Sequence, residues 1–465
     1  MINEDVFYLS VRELGARIRS HALSPVELTE AYLDRSERLG SKLNAYAVIT
    51  RDLALEQARK AEREIRAGKY RGPLHGIPYA AKDLLAVKGY PTTWGARPYA
   101  GQTFDYDATV IKKLRDAGAV LIGKAAMIEL AGGMGYRFAS ASISGAAKNP
   151  WNTECWTCGS SSGSGAIASA ALAAFAIGTE TWGSIVCPSA FCGVSGLRPT
   201  YGRVSRHGGM ALSFSMDKIG VMGRTADDCG VVLSHIAGHD PEDATSLPDA
   251  VFKRMPAASK RPLRIGWLSN AWKKIPPDID KVVNAAVDVL RAHGARIDEA
   301  KLPEGPWEPA AGIVISVEGA AAFSSLIESG RVAELNDPLG KVACYVNQSI
   351  PASDYVRALR IRAVLQKKMD EVFDEFDVIA AASLPVTASP LTANLETDFD
   401  FSDPLGGIGN FCGLPAISVP CGFDAKGLPV GIQFVGRAMD EEKVIAAARL
   451  FQQHTDWHRK RPPVG

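Results

Sequence analysis

Hydroxyl groups crowd one short segment of this chain, Cys158-Gly159-Ser160-Ser161-Ser162-Gly163-Ser164-Gly165-Ala166. Serines supply nucleophiles and hydrogen-bond partners, and glycines let a backbone approach closely. A flexible Ser/Gly linker would not open into the apolar run that starts at Ala166. A second dense segment, Gly178-Thr179-Glu180-Thr181-Trp182-Gly183-Ser184-Ile185-Val186-Cys187-Pro188, sets Ser184 in a glycine-flanked turn. The third candidate is Lys82, which directly follows the apolar stretch Gly76-Ile77-Pro78-Tyr79-Ala80-Ala81. A lysine buried at the end of a strand loses the hydration of its charged form, so its pKa falls and its neutral amine can accept a proton. Most lysines are surface charges, so Lys82 gains meaning only beside a group that needs a base.

Other chemistries fit less well. Gly159-Ser160-Ser161-Ser162-Gly163 matches G-x-S-x-G, but that nucleophile elbow needs a hydrophobic strand before it, and Asn149-Pro150-Trp151-Asn152-Thr153-Glu154 cannot be a central strand. No lysine follows in P-loop position, and the glycine spacing is not that of a dinucleotide site. Ser215-Met216-Asp217-Lys218 gives S-x-x-K without its companion motifs. Cys155 and Cys158, with Cys187 and Cys192 nearby, raise a zinc site; the uneven gaps and the lack of histidine in the cluster favour reduced thiols instead. None of the eight histidines makes an H-E-x-x-H, and His75 and His207 read as structural, so a Ser-His-Asp triad has no clear base.

The elements that must position these residues follow from pattern. From His75 onward short apolar strands alternate with Gly-rich turns and helices: a strand before Lys82, a helix over 110–118, then a strand at Ala119-Val120-Leu121-Ile122-Gly123. Such alternation predicts an α/β protein with a large mixed, mostly parallel twisted sheet covered by helices on both sides. Ser24-Pro25-Val26-Glu27 reads as a capped helix start. The run 166–178 is too short to span a bilayer and reads as a buried helix. Residues 240–262 read as loop, 278–375 as largely helical, and 377–382, 416–420 and 430–434 as strands. The organisation expected is one body over 1–465, with a helical N-terminal segment over about 1–70 and an internal helical portion over about 278–375. A net charge of +1, from 52 basic and 51 acidic residues, gives no general pull toward nucleic acid or anionic lipid. The start carries no secretory signal pattern. A cytoplasmic protein with a small-molecule amide, ester or carbamate substrate, with no nucleic-acid or membrane partner, and compatible with a homodimer, is the expectation.

Taken together, Lys82, the Ser160 loop and the Ser184 turn resemble the amidase signature family. The likeness runs in order through His75-Gly76-Ile77-Pro78, Lys82-Asp83, Asp107-Ala108-Thr109-Val110, Asn149-Pro150-Trp151, Gly202-Arg203-Val204-Ser205 and Gly413-Leu414-Pro415-Ala416-Ile417-Ser418-Val419-Pro420. It implies a catalytic trio with Ser184 as nucleophile, Ser160 as a bridging serine held by a cis peptide, and Lys82 as base. Ser161 matches a supporting serine. Backbone N–H groups of Thr181, Trp182, Gly183 and Ser184 would form the oxyanion hole, and Gly132, Gly133 and Met134 fall on the family's substrate-side loop. No cofactor or metal is implied.

The chain departs from the family at several points. Trp182 stands where a small residue is usual, Val186 replaces an Arg, Cys158 replaces a Gly, and Ala125-Ala126 stand where Thr-Asn is common. These departures favour a stand-alone amidase working through an acyl-enzyme, with ester, anilide or carbamate cleavage by the same carbonyl chemistry. The alternative is the ammonia-supplying component of a glutamine-dependent tRNA amidotransferase, its A subunit, which serves a partner.

Overall fold

A computed structural model describes residues 2–248, 252 and 261–464. Its strands, in chain order, are β1 (Tyr46–Ile49), β2 (Pro78–Lys82), β3 (Val120–Ala125), β4 (Lys148–Asn149), β5 (Asn152–Trp156), β6 (Phe175–Glu180), β7 (Ser195–Arg198), β8 (Lys218–Gly223), β9 (Arg264–Trp267), β10 (Arg296–Glu299), β11 (Val378–Ala382), β12 (Ala416–Phe423) and β13 (Pro429–Gly436). All but β4 and β5 join one sheet in the order β1-β3-β2-β6-β8-β7-β12-β13-β11-β9-β10. β4 and β5 form a separate ribbon, which keeps 149–154 out of the central sheet.

The sheet is mixed, and its parallel pairs lie in two blocks. On one side β2 pairs parallel with both β3 and β6; on the other, β9 pairs parallel with β10 and β11. Each block contains a helical crossover, Thr109–Asp116 between β2 and β3 and Pro277–Ala292 between β9 and β10. The strands between the blocks, from β6 through β8, β7, β12 and β13 to β11, are antiparallel throughout. Parallel pairing therefore holds a smaller share of the sheet than the βα alternation suggests. One of these antiparallel pairs has a local cause: β12 and β13 form a hairpin closed at Asp424–Leu428, where Asp424 takes the N–H groups of Lys426 and Leu428. A hairpin forces antiparallel pairing.

The strands nearest the candidate site, β2, β3, β6 and β8, are buried along their whole length. Strands covered on both faces are continuous apolar runs rather than alternating ones. For that reason 166–178 is not the single helix its composition suggests. The helix Ser162–Ser169 ends early, and Phe175–Glu180 becomes β6 because Phe175, Ala176 and Ile177 lie in register with Tyr79, Ala80 and Ala81. Periodicity alone cannot separate helix from strand for a short apolar run.

Residues 1–70, read as helical, also contain β1, which closes the sheet edge against β3. Ser24 caps its helix as expected, accepting from the N–H of Val26 and Glu27. The stretch 278–375 holds one strand, β10, and then three longer helices, Trp307–Ala322, Gly340–Gln348 and Ala352–Glu375. The first and last of these pack with the short helix Pro404–Phe411 into a second apolar cluster around Trp307, Leu365, Phe373 and Phe411. The loop read over 240–262 lies partly outside the described residues; 240–248 is turn structure, with Asp243 accepting from Arg206 and Thr245. Among the described residues no helix is long and apolar enough to cross a membrane.

Candidate active site

Lys82, Ser160 and Ser184 come together although their elements lie far apart in sequence. Lys82 ends β2, and its Nζ donates to Ser160 Oγ at 2.7 Å, Thr179 Oγ1 at 2.9 Å and Ser161 Oγ at 3.1 Å. Ser160 Oγ donates to Ser184 Oγ at 3.0 Å. The Gly159–Ser160 peptide is cis, as the family resemblance implies. Exposure rises along this chain of atoms: Lys82 is 0% exposed, Ser160 1% and Ser184 8%. Ser184 is thus the most accessible of the three, though still buried.

Burial pushes the Lys82 ammonium down to about 7, against the pull of the Asp217 and Glu180 carboxylates. Near neutrality a substantial share of the amine is therefore neutral, and neutral amine can accept a proton through Ser160. Ser161 is fixed between β6 and the lysine, donating to the Thr179 carbonyl and accepting from the Thr179 N–H. Sequence alone does not single out Thr179; its signal is the polar pair Thr179-Glu180 closing an otherwise apolar buried strand.

The turn that carries Ser184 is anchored by Glu180, another residue that no sequence motif marks. Glu180 Oε2 accepts from the N–H of Ile185 at 2.7 Å and of Val186 at 2.9 Å, while Oε1 pairs with Arg198 at 2.6 Å. Burial would raise this carboxyl, but the Arg198 and Lys218 charges and its hydrogen bonds hold it down at about 2. Gly183 takes φ +79, a conformation glycine adopts freely. Among the described residues the N–H groups of Trp182, Gly183 and Ser184 have no hydrogen-bond partner. Donors of this kind, fixed in a turn, can face a developing oxyanion.

Beside the turn, the Trp182 indole donates to Asp403 Oδ2 at 2.9 Å. Asp403 also caps the helix Pro404–Phe411 by accepting from the Gly406 N–H, and burial pushes its carboxyl up to about 6. The ring lies over Gly407, where a Cβ would come within 3.0 Å of it. The loop 129–135 is a separate feature. Leu130 and Ala131 adopt left-handed angles, Met134 is buried, and a Cβ on Gly133 would collide with Leu212. Glu129 holds the loop to the helical portion by accepting from the N–H groups of Asn336 and Asp337.

A cavity of about 220 Å3 adjoins Thr179 and Thr181 and is also lined by Ala131, Leu212, Asp217 and Lys218. Thr181 Oγ1 donates to Asp217 at 2.5 Å, and the buried Lys218 ammonium donates to the Thr181 carbonyl at 3.4 Å. Ser215 contacts Arg362 and Glu318 rather than Lys218, so the S-x-x-K spacing is not a site. His75 is a packing residue, accepting from the Arg71 N–H and facing Glu64.

One cysteine expectation is corrected. Cys158 and Cys187 form a disulfide, whereas a set of reduced thiols was expected. Their separation along the chain hides the pairing; the fold brings the Ser160 loop against the first turn of the helix Val186–Cys192.

A family model described as Amidase matches residues 27–445, and the chain belongs to that family. It is an amidase-family enzyme acting on C–N bonds. The chain is 34% identical, over 99% of its length and 100% of the relative's, to the A subunit of the glutamyl-tRNA(Gln) amidotransferase of Geobacter sp. (strain M21). It is 35% identical to the corresponding protein of Moorella thermoacetica, over 99% of both chains. Among solved structures, the native peptide amidase of Stenotrophomonas maltophilia superposes with a TM-score of 0.86 at 32% identity, covering 98% of each chain.

These relatives correct the partner expectation drawn from charge. Proteins alike over their whole length are subunits of an enzyme named for a charged tRNA, so a small-molecule substrate with no nucleic-acid partner does not follow from near-neutrality. One chain of a complex can leave RNA contacts to another, and net charge cannot report on that.

Proposed function

We propose that the chain opens a carboxamide on Ser184 and that its donor amide is that of glutamine, as the amidase component of a glutamine-dependent amidotransferase. Ser184 Oγ attacks the carbonyl while its proton passes to Ser160, whose own proton passes to neutral Lys82. The turn Thr181–Ser184 holds the oxyanion through backbone N–H groups. On collapse Ser160 returns a proton to the departing nitrogen, and ammonia leaves. Water then cleaves the acyl-enzyme along the same path, with Lys82 again taking the proton through Ser160. The observation that carries this reading is the continuous chain Lys82–Ser160–Ser184, with steps of 2.7 and 3.0 Å. The choice of glutamine rests on the full-length likeness to the amidotransferase components.

One observation favours a second reading of the acyl group. The Trp182 ring fills space beside the oxyanion turn, and Asp403 is already engaged by the indole. An extended, partly apolar acyl group that packs on the ring suits that arrangement, and the likeness to a peptide amidase agrees with it. The substrate-side loop Gly132-Gly133-Met134 would then border the leaving amide.

Ammonia release separates the two. Purified chain is assayed with L-glutamine, alone and with the other subunits of a related amidotransferase, and with C-terminally amidated peptides, anilides and carbamates. Glutamine turnover that rises with the added subunits supports the first reading. Turnover of the extended amides with none of glutamine replaces it with the second. A fluorophosphonate that labels native protein and Ser184→Ala alike would sink the nucleophile assignment for both.

A further inference from the structure

The Cys158–Cys187 bridge joins the two segments that carry the proposed relay. Cys158 lies two residues before Ser160, and Cys187 lies three residues after Ser184. The bond spans 29 residues of sequence, with Cα atoms 5.9 Å apart, and so ties the start of the Ser160 loop to the first turn of the helix behind Ser184. Between the two attachment points the serine side chains meet through one hydrogen bond, from Ser160 to Ser184.

The backbone at Cys158 makes the pairing informative. Its φ is +63, in the left-handed region that glycine occupies without cost and other residues rarely adopt. A cysteine there forgoes the local preference of the turn, and the bond to Cys187 supplies a reason. Both sulfurs sit in an apolar cluster with Ile128, Trp156, Ala190 and Phe191, and the two residues are 3% and 5% exposed. Six other cysteines are buried and unbonded, so burial alone does not account for the bridge.

We propose that the Cys158–Cys187 disulfide is a positioning element of the relay and places the activity under redox control. This rests on the reading of Ser184 and Ser160 given above. With the bond closed, the Ser160 loop and the Ser184 turn are held at hydrogen-bonding distance. With it open, Cys158 is free to leave its left-handed conformation, and the two hydroxyls lose their register. A dithiol reduces the bond by giving two electrons and two protons to the sulfurs, leaving two thiols and becoming a cyclic disulfide. Oxidised glutathione reverses this, taking two electrons and two protons and leaving as two glutathione thiols.

The test reads the bridge and the nucleophile separately. Alkylation of the unreduced, denatured protein followed by mass measurement counts thiols, and a peptide map locates the linked pair. The expected result is two protected cysteines, 158 and 187. Native protein, before and after dithiothreitol, is then titrated with a fluorophosphonate. Because a misplacement of about 1 Å in a reacting group can cost about a hundredfold, the maximal labelling rate of Ser184 is expected to fall by at least about tenfold on reduction. The concentration for half-maximal labelling should change little, and oxidised glutathione should restore the rate. Cys187→Ala, which removes the bond and leaves Cys158 in its left-handed turn without a partner, should label slowly with or without reductant while keeping a cooperative melt. Alkylation of all eight cysteines without reductant overturns the proposal, as does an equal labelling rate before and after reduction. A protected pair in a protein whose Ser184 never labels would instead refute the nucleophile reading, and the redox proposal with it.

Discussion

Trp182 and Asp403 are 221 residues apart in sequence and joined by one hydrogen bond of 2.9 Å, from the indole Nε1 to an oxygen of the half-buried Asp403 carboxylate. The contact links the turn that carries Ser184 to the helix Pro404–Phe411. Asp403 has its carboxyl pushed up to about 6 by burial, against the opposing effect of the indole and the Gly406 N–H. Removing the indole donor raises it further.

Trp182→Phe keeps an aromatic ring and deletes the donor. Loss of a hydrogen bond to a charged acceptor is expected to cost about 1.5–3 kcal/mol at pH 8. The folded pKa lies above the unfolded value, so the protonated form is favoured on folding, and that contribution is fully present below the unfolded pKa and lost as pH rises through about 6. The deficit of the variant should therefore shrink as pH falls from 8 to 5. Urea midpoints at the two pH values check this; an equal deficit at both would show that the carboxylate does not feel the indole.

Lys82→Ala and Ser160→Ala should each lower kcat by about 10²–10⁴-fold, the range for loss of a positioned proton-transfer group. Lys82→Arg should do no better, because a guanidinium stays charged and cannot accept the proton. Steady-state rates on any substrate turned over by the unmodified chain measure the effect. Near-native kcat in any of the three would remove that residue from the relay.

On the proposed relay, activity should rise with pH through about 7 and level off, because only the neutral amine of Lys82 can accept the proton. Asp217 raises the lysine pKa through its charge, so Asp217→Asn should move the rising limb toward acid. A kcat/KM profile of both proteins reads the shift. A limb that stays in place, or moves toward alkali, contradicts the assignment of that limb to Lys82.

Glu180→Ala strands the Arg198 guanidinium in the core and removes the acceptor for two N–H groups of the Ser184 turn. Breaking a buried pair on one side costs about 3–5 kcal/mol. Chemical denaturation should show a loss of that size, and Glu180→Gln, which keeps an acceptor for the turn, should retain more activity than the alanine variant. Equal activity of the two would mean that Glu180 does not position the turn.

What the sequence by itself determined is a set of marked residues and a fold class: a lysine closing an apolar strand, serines among glycines at 160 and 184, and an α/β alternation of strands and helices to hold them. These were readable because a short buried strand and a glycine-flanked serine leave marks within a few residues of themselves. Tertiary structure decided the rest, because those features depend on segments that meet only after folding. The separation of 166–178 into a helix and β6 depends on register with β2. The pairing of Cys158 with Cys187 depends on where the helix Val186–Cys192 packs. Glu180 became the anchor of the Ser184 turn because β7 brings Arg198 to it, and Trp182 met Asp403 because the helix Pro404–Phe411 closes over the turn. Charge composition, being a sum over the whole chain, could say nothing about which partners the surface serves.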